Sequence, residues 1–453
     1  MTSLRRLNRV MQPDVEGPFD SPARSVGPKV AADGATRRNF KIPFVLVLVA
    51  LTVFLPVELS FYFLGLRLTA TRLIFLAITP LLVIKFIQKA GSGRYRFVFS
   101  DIFIILTGFW LIYAPAKIDG LSLALNHAGP DILEFCGGYM TTRIILGRHY
   151  EALRFIGLLC RIIAFVALLG LIDPLIGSYA THNLARQLTG FSGPDLWDWN
   201  DRFRLGLLRA AGPIEHPILY AFICATGLLF AANVPISSRK FVMGSCSLGM
   251  IFAFSSAPEQ CALLALGLVF YGRLTVGLRM RWVVLIGAGV AGIVTAFLIS
   301  DSPVGFIISH LTFDPSSGYY RYWTWDRVIF YVSQSPWYGL GYGVPPDEIN
   351  HSIDSLWLVL SVRGGVPGAV LVFFTLIGST SLSTSGRGVS LTHEESQLGT
   401  ALGIIIFLTL YIAFTVDLWG SVWILVGLLV GTRAHLGELG QLRADQPPSA
   451  GRS

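Results

Sequence analysis

The stretch LRFIGLLCRIIAFVALLGLID, residues 153–173, decides the fold class of this protein. Between Arg154 and Asp173 its one charged side chain is Arg161, and nearly all the others are apolar. A helix needs about 20 mostly apolar residues to cross the hydrocarbon core of a membrane. The stretch therefore predicts a membrane-spanning α-helix.

Similar apolar runs occur along most of the 453-residue chain, which is 53% hydrophobic and has a mean hydropathy of +0.62. Only 14% of its residues are charged, against about 25% in an ordinary soluble domain. We therefore expect an all-α, polytopic integral membrane protein with about twelve transmembrane helices and no soluble catalytic domain. The predicted spans are 43–63, 68–88, 97–115, 128–146, 153–173, 214–234, 240–255, 258–273, 282–300, 353–379, 398–415 and 418–432.

Several predicted spans, or the residues that join them, contain charged side chains. A charge in hydrocarbon is costly unless it is paired, and it therefore often marks a functional site. The span 128–146 is weak for this reason. The charged residues in question are Glu58, Asp131, Glu134, Arg143, Arg161 and Glu259.

Lysine and arginine cluster in alternate connections, and such positive charge marks the cytoplasmic side of a membrane. The tails, residues 1–42 and 433–453, carry the same bias, and the first is polar enough to predict disorder. We therefore expect a multi-pass protein of the bacterial inner membrane, with a membrane domain at 43–432 and both termini in the cytoplasm. The net charge of +8 is attributed to orientation and to contact with anionic lipid. No nucleic-acid partner is expected.

Two long connections, near 174–213 and 301–352, fall on the opposite, periplasmic side in this topology. Long structured loops are uncommon unless they are functional. Both connections are rich in Trp, Tyr and Arg. Arginines that face the periplasm oppose the charge rule, so they are candidates for binding an anion.

The second connection contains a predicted amphipathic helix near the membrane surface. Trp325, Val328, Ile329 and Val332 follow the spacing of one helix face, and Arg321 lies one turn earlier. A glycine-rich turn, YGLGYG, follows at 338–343, and His351 comes next, at the mouth of a span. The spacing brings a cation, a flexible turn and a histidine into one short segment.

These residues resemble the O-antigen ligase and polysaccharide polymerase superfamily, the Wzy and WaaL families. The family pattern has an Arg, a nearby Trp, a Pro-x-x-Gly-x-Gly turn, a His and a later Gly-x-x-Gly, with an earlier Arg-Gly-His-Pro element. The chain departs from the pattern at Ser352, where the family often has Asn, and at Arg363, where it often has an acidic residue. The matching residues are Arg209, Gly212, His216, Pro217, Arg321, Trp325, Pro336, Gly339, Gly341, His351, Gly365 and Gly368.

The resemblance implies transfer of a glycan from undecaprenyl diphosphate to an acceptor hydroxyl in the periplasm, without metal or cofactor. Arg321 and Arg209 would bind the diphosphate, because the guanidinium fork suits phosphate and stays protonated. His351 would act as the base toward the acceptor hydroxyl. The residues expected to bind substrate or to orient these groups are His216, Trp325, Trp337 and Asp354.

Polymerisation of lipid-linked repeat units of an exopolysaccharide or O-antigen is the leading interpretation. A ligase that moves the finished glycan to lipid A core has the same donor chemistry and stays open. A transporter, either a flippase for lipid-linked oligosaccharide or a small-anion carrier, is the alternative from another class. The expected partners are the donor, the glycan acceptor, membrane lipids and, among proteins, a chain-length regulator or a flippase.

Overall fold

The computed structural model describes residues 42–63, 66–93, 95–147, 149–191, 202–275, 277–278, 280–299, 315–343, 353–380 and 391–444. Residues 1–41 and 445–453, in the predicted tails, lie outside this part of the chain, as does His351.

The described chain is almost entirely helical, with two short antiparallel hairpins, β1–β2 and β3–β4. The strands are β1 (Ser60–Phe63), β2 (Leu66–Thr69), β3 (Phe203–Arg204) and β4 (Leu207–Leu208). The helices are α1 (Phe44–Thr52), α2 (Ala70–Gly91), α3 (Phe99–Asp119), α4 (Leu121–Ile145), α5 (His149–Gly170), α6 (Ile172–Ile176), α7 (Ala180–Thr189), α8 (Pro217–Asn233), α9 (Arg239–Ala253), α10 (Ser256–Leu274), α11 (Arg281–Ile299), α12 (Pro315–Gln334), α13 (Leu356–Thr380), α14 (His393–Ile412) and α15 (Gly420–Ala444).

Six helical segments among the described residues are long and apolar enough to cross a membrane. The all-α class and the membrane-protein assignment are therefore confirmed. These segments are Ala70–Gly91, Phe99–Asp119, Tyr150–Ile176, Leu356–Thr380, His393–Ile412 and Gly420–Arg443.

The predicted span 43–63 is helical only over Phe44–Thr52. Pro56 cannot continue a helix, because it lacks a backbone N–H and its ring clashes with the preceding turn. The aromatic run after it forms β1, which pairs with β2. At the other end of the chain, α15 runs to Ala444, beyond the predicted span 418–432.

Helices α4 and α15 make the closest helix–helix contact of the bundle. A Cβ on Gly138 of α4 would lie 2.8 Å from the backbone oxygen of Ile424, and a Cβ on Gly427 of α15 would lie even closer to the backbone oxygen of Phe135. Small residues allow such backbone contact, which drives association of helices in a membrane. The contact makes α15, which is almost completely buried, the central helix of the bundle.

Two hydrogen bonds between the side chain of one helix and the backbone of the other set the register of α4 and α15. Thr142 Oγ1 donates to the carbonyl of Leu428 (2.9 Å), and Trp423 Nε1 donates to that of Asp131 (3.1 Å). Because α15 begins after Trp419 and carries Glu438 in its last turns, we call the two ends of the bundle the Trp419 end and the Glu438 end.

A buried network of charges joins four helices at the Glu438 end. Arg143 of α4 donates from Nε and Nη2 to the two carboxylate oxygens of Asp101 on α3, at 2.9 and 2.8 Å. Its Nη1 lies 2.7 Å from Glu438, to which Lys89 of α2 also donates (2.5 Å). Every charge in this network has an opposite charge against it, so burial is tolerated.

The glycine contact predicts a position-specific effect of a single methyl group. Gly138→Ala should destabilise the protein by about 1–3 kcal/mol, the usual cost of overpacking, because the methyl meets rigid backbone. Gly129→Ala on the same helix is the control, since nothing lies within 4 Å of a Cβ there. Thermal unfolding of the purified protein in detergent measures both. Equal stability of the two variants would contradict the close contact.

Candidate functional site

Two neighbouring groups of charged side chains lie at the Trp419 end of the bundle, with Trp419 between them. We call the first the charged cavity; it is lined by Arg67, Arg72, Asp131, Glu134, Glu215 and Trp419. The second is the arginine–histidine cluster, which consists of Arg204, Arg209, His216 and Arg321. Trp419 lines the cavity, and its ring meets the His216 ring edge-on, with centroids 6.1 Å apart.

The charged cavity has a volume of about 200 Å³. Its walls come from the turn after α1, from β2 and the start of α2, from α4, and from the start of α15. Trp419 is 38% exposed, as is the side chain of Asp131, so the cavity reaches the surface of the protein there.

The two arginines of the cavity are held by backbone oxygens and by one carboxylate. Arg72 donates from Nε to Glu134 Oε1 (2.7 Å) and from Nη1 to the carbonyl of Arg67 (3.0 Å). Arg67 in turn donates to the carbonyl of Val57 (2.8 Å) and to Ser60 Oγ (3.1 Å). The β1–β2 hairpin therefore fixes both guanidinium groups.

Glu134 lies well inside the bundle. At 1.5 Å per residue along α4, it is roughly 14 Å from Arg143 and roughly 20 Å from Leu121. The residue is 3% exposed. The cavity is therefore recessed below the tip of the α3–α4 hairpin, at a depth where charged residues are rare and functional.

The arginine–histidine cluster begins on the C-terminus of α9. Arg209 Nε donates to the carbonyl of Ala253 (3.0 Å), and Arg204 Nη1 donates to that of Phe254 (2.9 Å). These are last-turn carbonyls that have no partner within the helix, and a cation there is favoured by the helix dipole. Arg209 is buried, so its charge is held in a fixed position.

His216 caps the N-terminus of α8, because its Nδ1 accepts a hydrogen bond from the backbone N–H of Ile218 (3.1 Å). Burial, together with the charges of Arg209, Arg321 and Arg204, lowers the pKa of His216 to about 3. The imidazole is therefore neutral near pH 7. With Nδ1 acting as an acceptor, its proton is on Nε2, so His216 is a hydrogen-bond donor and not a base.

Arg321, on α12, acts electrostatically on the same histidine. That helix packs on α13 through Val328 and Val332, whereas Ile329, predicted on the same face, is 54% exposed. Trp325 donates from Nε1 to the carbonyl of Phe414 (2.9 Å) and stacks on the Phe414 ring. The contact ties α12 to the end of α14, one turn from Arg321.

The glycine-rich turn after α12 lies directly against a kink in α13. Gly339 and Gly365 both have positive φ, +74° and +71°. A Cβ on Gly339 would collide with the backbone at Val362 and Gly365, and a Cβ on Gly365 would collide with the backbone of Trp337. Leu340 N donates to the carbonyl of Val362 (2.6 Å) across this contact. The ring of Trp337, in the turn, is 69% exposed. The turn therefore presents an aromatic face to its surroundings while its backbone is locked.

The remaining predicted site residues give a mixed outcome. Asp354 lies in the segment before α13, which begins at Leu356, so the helical spacing expected between His351 and Asp354 does not apply. Asp354 acts electrostatically on Tyr320, the neighbour of Arg321. Of the predicted catalytic residues, the structure brings Arg209 and Arg321 to the same histidine.

The segment that carries Arg209 and His216 is fixed by buried polar contacts. Asp173, which is fully buried, accepts hydrogen bonds from the backbone N–H groups of Ala211 (3.1 Å) and Gly212 (2.7 Å). His182 of α7 donates from Nε2 to the carbonyl of Ile214 (3.1 Å). The residues held by these contacts lie only a few positions before His216, so the contacts fix the backbone that leads into it.

His182 also pairs with Glu58, with Nδ1 2.8 Å from Glu58 Oε2. Since both ring nitrogens face acceptors, both carry a proton and the imidazole is charged. Burial alone would lower the pKa of His182, but the hydrogen bond and the charge of Glu58 outweigh it and raise the pKa above its usual value. Burial would raise the pKa of Glu58, and His182 and Arg186 lower it instead.

The charged cavity was missed by sequence reasoning. In the sequence, Glu134 was noted only as a charge that makes the predicted span 128–146 weak, and its partner Arg72 is distant from it along the chain. A charged residue within an apolar run was the available signal. No group of three or more His, Cys, Asp or Glu side chains arranged to hold a metal occurs in the part of the chain that the structure describes.

Comparison of the chain with protein-family models and with curated proteins gave no match.

The Glu58–His182 pair predicts a pH-dependent stability. Folding raises the pKa of His182 above its value of about 6.5 in the unfolded chain. Its charge therefore stabilises the folded protein fully below that pH, and this stabilisation is lost as the pH rises through the folded-state pKa. His182→Gln should therefore cost about 3–5 kcal/mol at low pH, as for one partner of a buried pair, and less at high pH. Thermal unfolding from about pH 5 to about pH 9 measures the trend.

The control for this prediction is His393→Gln, because His393 is an exposed histidine at the start of α14. It should unfold like the wild type at every pH. A destabilisation by His182→Gln that is constant with pH would show that His182 is not charged in the folded protein.

Proposed function

We propose that this protein is a glycosyltransferase similar to the O-antigen ligases and polysaccharide polymerases, acting on undecaprenyl-diphosphate-linked glycan. The observation that supports this function is the arginine–histidine cluster. His216 lies against Trp419, and it experiences the charges of Arg209, from its own segment, and of Arg321, from the distant helix α12. Guanidinium groups close together around a neutral donor are suited to a diphosphate.

In this proposal the protein lies in the bacterial inner membrane with about twelve spans, and the Trp419 end faces the periplasm. Lys89, Arg154, Arg239, Arg273 and Arg281 all lie near helix ends that group with the Glu438 end. Positive charge favours the cytoplasmic side, which supports this orientation and cytoplasmic termini.

The reaction forms a bond between the acceptor oxygen and the anomeric carbon of the donor glycan. The bond from that carbon to the phosphate oxygen breaks, and its electron pair leaves with undecaprenyl diphosphate. Arg209 and Arg321 stabilise the negative charge that develops on the phosphates. His216 donates from Nε2 to the same oxygens. The acceptor's proton goes to a base, a role that the family resemblance assigns to His351.

Polymerisation and ligation differ in the acceptor and use the same donor site. We propose polymerisation of repeat units as the function. Deleting the gene should remove long chains while single repeats remain on the final carrier. Accumulation of polymer on undecaprenyl diphosphate would indicate the ligase instead.

A transporter is a second candidate function, and one observation favours it. The Arg72–Glu134 pair is recessed in the helices, and transporters place ion and substrate sites at such depths. Reconstituted protein that moves lipid-linked oligosaccharide across a vesicle membrane, without forming glycosidic bonds, would support a flippase and contradict the transferase.

Replacing the clustered arginines tests diphosphate binding. Arg321→Ala and Arg209→Ala should each lower binding of sugar-free undecaprenyl diphosphate and reduce transfer by about 100-fold or more, as for loss of a group that stabilises developing charge. Arg321→Lys should recover only part, since an ammonium cannot form the bidentate contact. Binding is measured with purified protein and the labelled lipid diphosphate.

The matched control is Arg327→Ala on the same helix. Arg327 lies over the Trp323 ring, 4.6 Å from its centroid, on the exposed side of α12. It should bind and transfer normally. Full activity in Arg321→Ala, with normal protein levels, would remove the diphosphate role of that residue.

The orientation predicts which positions a membrane-impermeant thiol reagent can reach. Gln334→Cys, at the exposed end of α12, should be labelled in spheroplasts, and Ser92→Cys, after α2, only after permeabilisation. The native cysteines among the described residues are buried or half-buried, so the parent protein gives the background. Labelling of Ser92→Cys from outside would reverse the topology.

A further inference from the structure

The charged cavity is not used by the diphosphate chemistry, although Trp419 joins it to the arginine–histidine cluster. Its three carboxylates are balanced by its two guanidinium groups together with Arg363, which approaches Asp131 at 3.5 Å. A phosphate or another charged group therefore gains no net attraction from these balanced charges and would have to be buried among them, so an uncharged occupant is favoured. The cavity needs an occupant of different chemistry from the donor's phosphates.

One atom of the cavity points to a ligand. Glu134 is 3% exposed and lines the cavity, and its Oε1 accepts from Arg72. Its Oε2 is buried and has no hydrogen-bond partner among the residues that the structure describes. Burying a carboxylate oxygen without a donor is costly, and a ligand hydroxyl that donates to it removes that cost.

The rest of the lining suits a polyol. Arg67 and Arg72 supply donors, and Asp131 and Glu134 supply acceptors, in the lining of the same space. A hydroxyl both donates and accepts, so a ring with several hydroxyls can match both kinds of wall. The Trp419 ring adds an apolar face on which the C–H surface of a sugar packs.

The size of the cavity limits the occupant to one ring. Its volume of about 200 Å³ is below the range of about 300–1,000 Å³ for pockets that hold drug-sized ligands. It is of the order of a single pyranose. Because Trp419 also meets His216, a ring bound here would lie next to the cluster that holds the diphosphate.

We propose that the charged cavity is a subsite for one uncharged pyranose ring, with a ring hydroxyl donating to Glu134 Oε2. The proposal rests on the transferase function for its meaning, since the ring belongs either to the donor glycan or to the acceptor glycan. Glu134 binds and positions this ring, and Arg72 holds the carboxylate in place.

The experiment uses the purified full chain in detergent and methyl glycopyranosides as probes. The panel contains uncharged glycosides, a uronate and an amino sugar, and saturation-transfer NMR measures binding. At least one uncharged glycoside should bind in the millimolar range, more tightly than the charged probes. Glu134→Gln should weaken this binding by about tenfold, as for loss of one charge-assisted hydrogen bond.

The matched control is Glu395→Gln at the other end of the bundle. Glu395 is also a buried carboxylate paired with an arginine, Arg443, at 2.7 Å. It should bind the glycosides as the wild type does. If Glu134→Gln does not fold, Trp419→Leu replaces it, because Trp419 is partly exposed and its ring is the apolar wall.

Three outcomes overturn the subsite: no uncharged glycoside binds, a charged probe binds more tightly, or the variants at Glu134 and Trp419 bind like the wild type. Sugar-free undecaprenyl diphosphate separates this failure from failure of the transferase function. It should bind Glu134→Gln normally and Arg321→Ala poorly. Glycoside binding without any diphosphate binding would keep the subsite and contradict the transferase.

Steady-state kinetics of the transfer reaction show whether the bound ring belongs to the donor glycan or to the acceptor glycan. An increase in KM for the acceptor alone in Glu134→Gln assigns the subsite to the acceptor glycan, and an increase for the donor alone assigns it to the donor. Both results support the proposal. Wild-type KM values for both substrates would overturn it.

Discussion

The backbone-to-backbone approach of α4 and α15 is the constraint on which the rest of the bundle depends. With glycines at 138 and 427, two main chains lie closer than any side chain would allow. This contact fixes Asp131 and Glu134 on α4 relative to Trp419, just before α15. A looser contact would separate the carboxylates of the cavity from its aromatic wall. The geometry of the cavity therefore depends on glycine at these two positions.

Buried charge is the second constraint, and it is met in two ways. Arg143 places its guanidinium between Asp101 and Glu438, so each of these charges faces an opposite charge and the network holds helices together. Glu134 has one oxygen matched by Arg72 and the other unmatched among the described residues. Charges that face opposite charges on neighbouring helices need no ligand, whereas a carboxylate with one unmatched oxygen is stabilised by a ligand that donates to it. This difference separates structural charges from candidate binding groups.

Whether a buried charge has a partner also distinguishes the roles of other charged residues that the sequence places in or beside the apolar runs. Glu58 is matched by His182, so it stabilises a loop. Glu259 lies in the first turn of α10, where the helix dipole favours an acid. Arg161 donates to the carbonyl of Gly157, one turn earlier, and its side chain is exposed on the membrane domain. An arginine can extend along its helix toward more polar surroundings, so none of the three requires a ligand.

Sequence patterns predicted the helical membrane class, because apolar length is a local property. The charges of Arg209 and Arg321 both act on His216, whereas His351 lies outside the described residues, so the site expected from the family pattern stays a prediction. The break after Thr52 was missed, since an apolar run does not distinguish a helix from a hairpin at that length. The Arg72–Glu134 pair was also missed. Its partners lie on different helices, and their meeting depends on packing that no single segment encodes.

The motif glycines link the two halves of the site. Gly339 and Gly365 lock the turn after α12 against α13, and Arg363 lies just before that kink. Arg363 approaches Asp131 of the cavity at 3.5 Å and lies over the Tyr342 ring, so it bridges the locked turn and the cavity. The arginine at this position, where the family often has an acid, therefore matches a carboxylate on α4. Because the turn is held against α13, the charge that Arg363 places beside the cavity is held in position too.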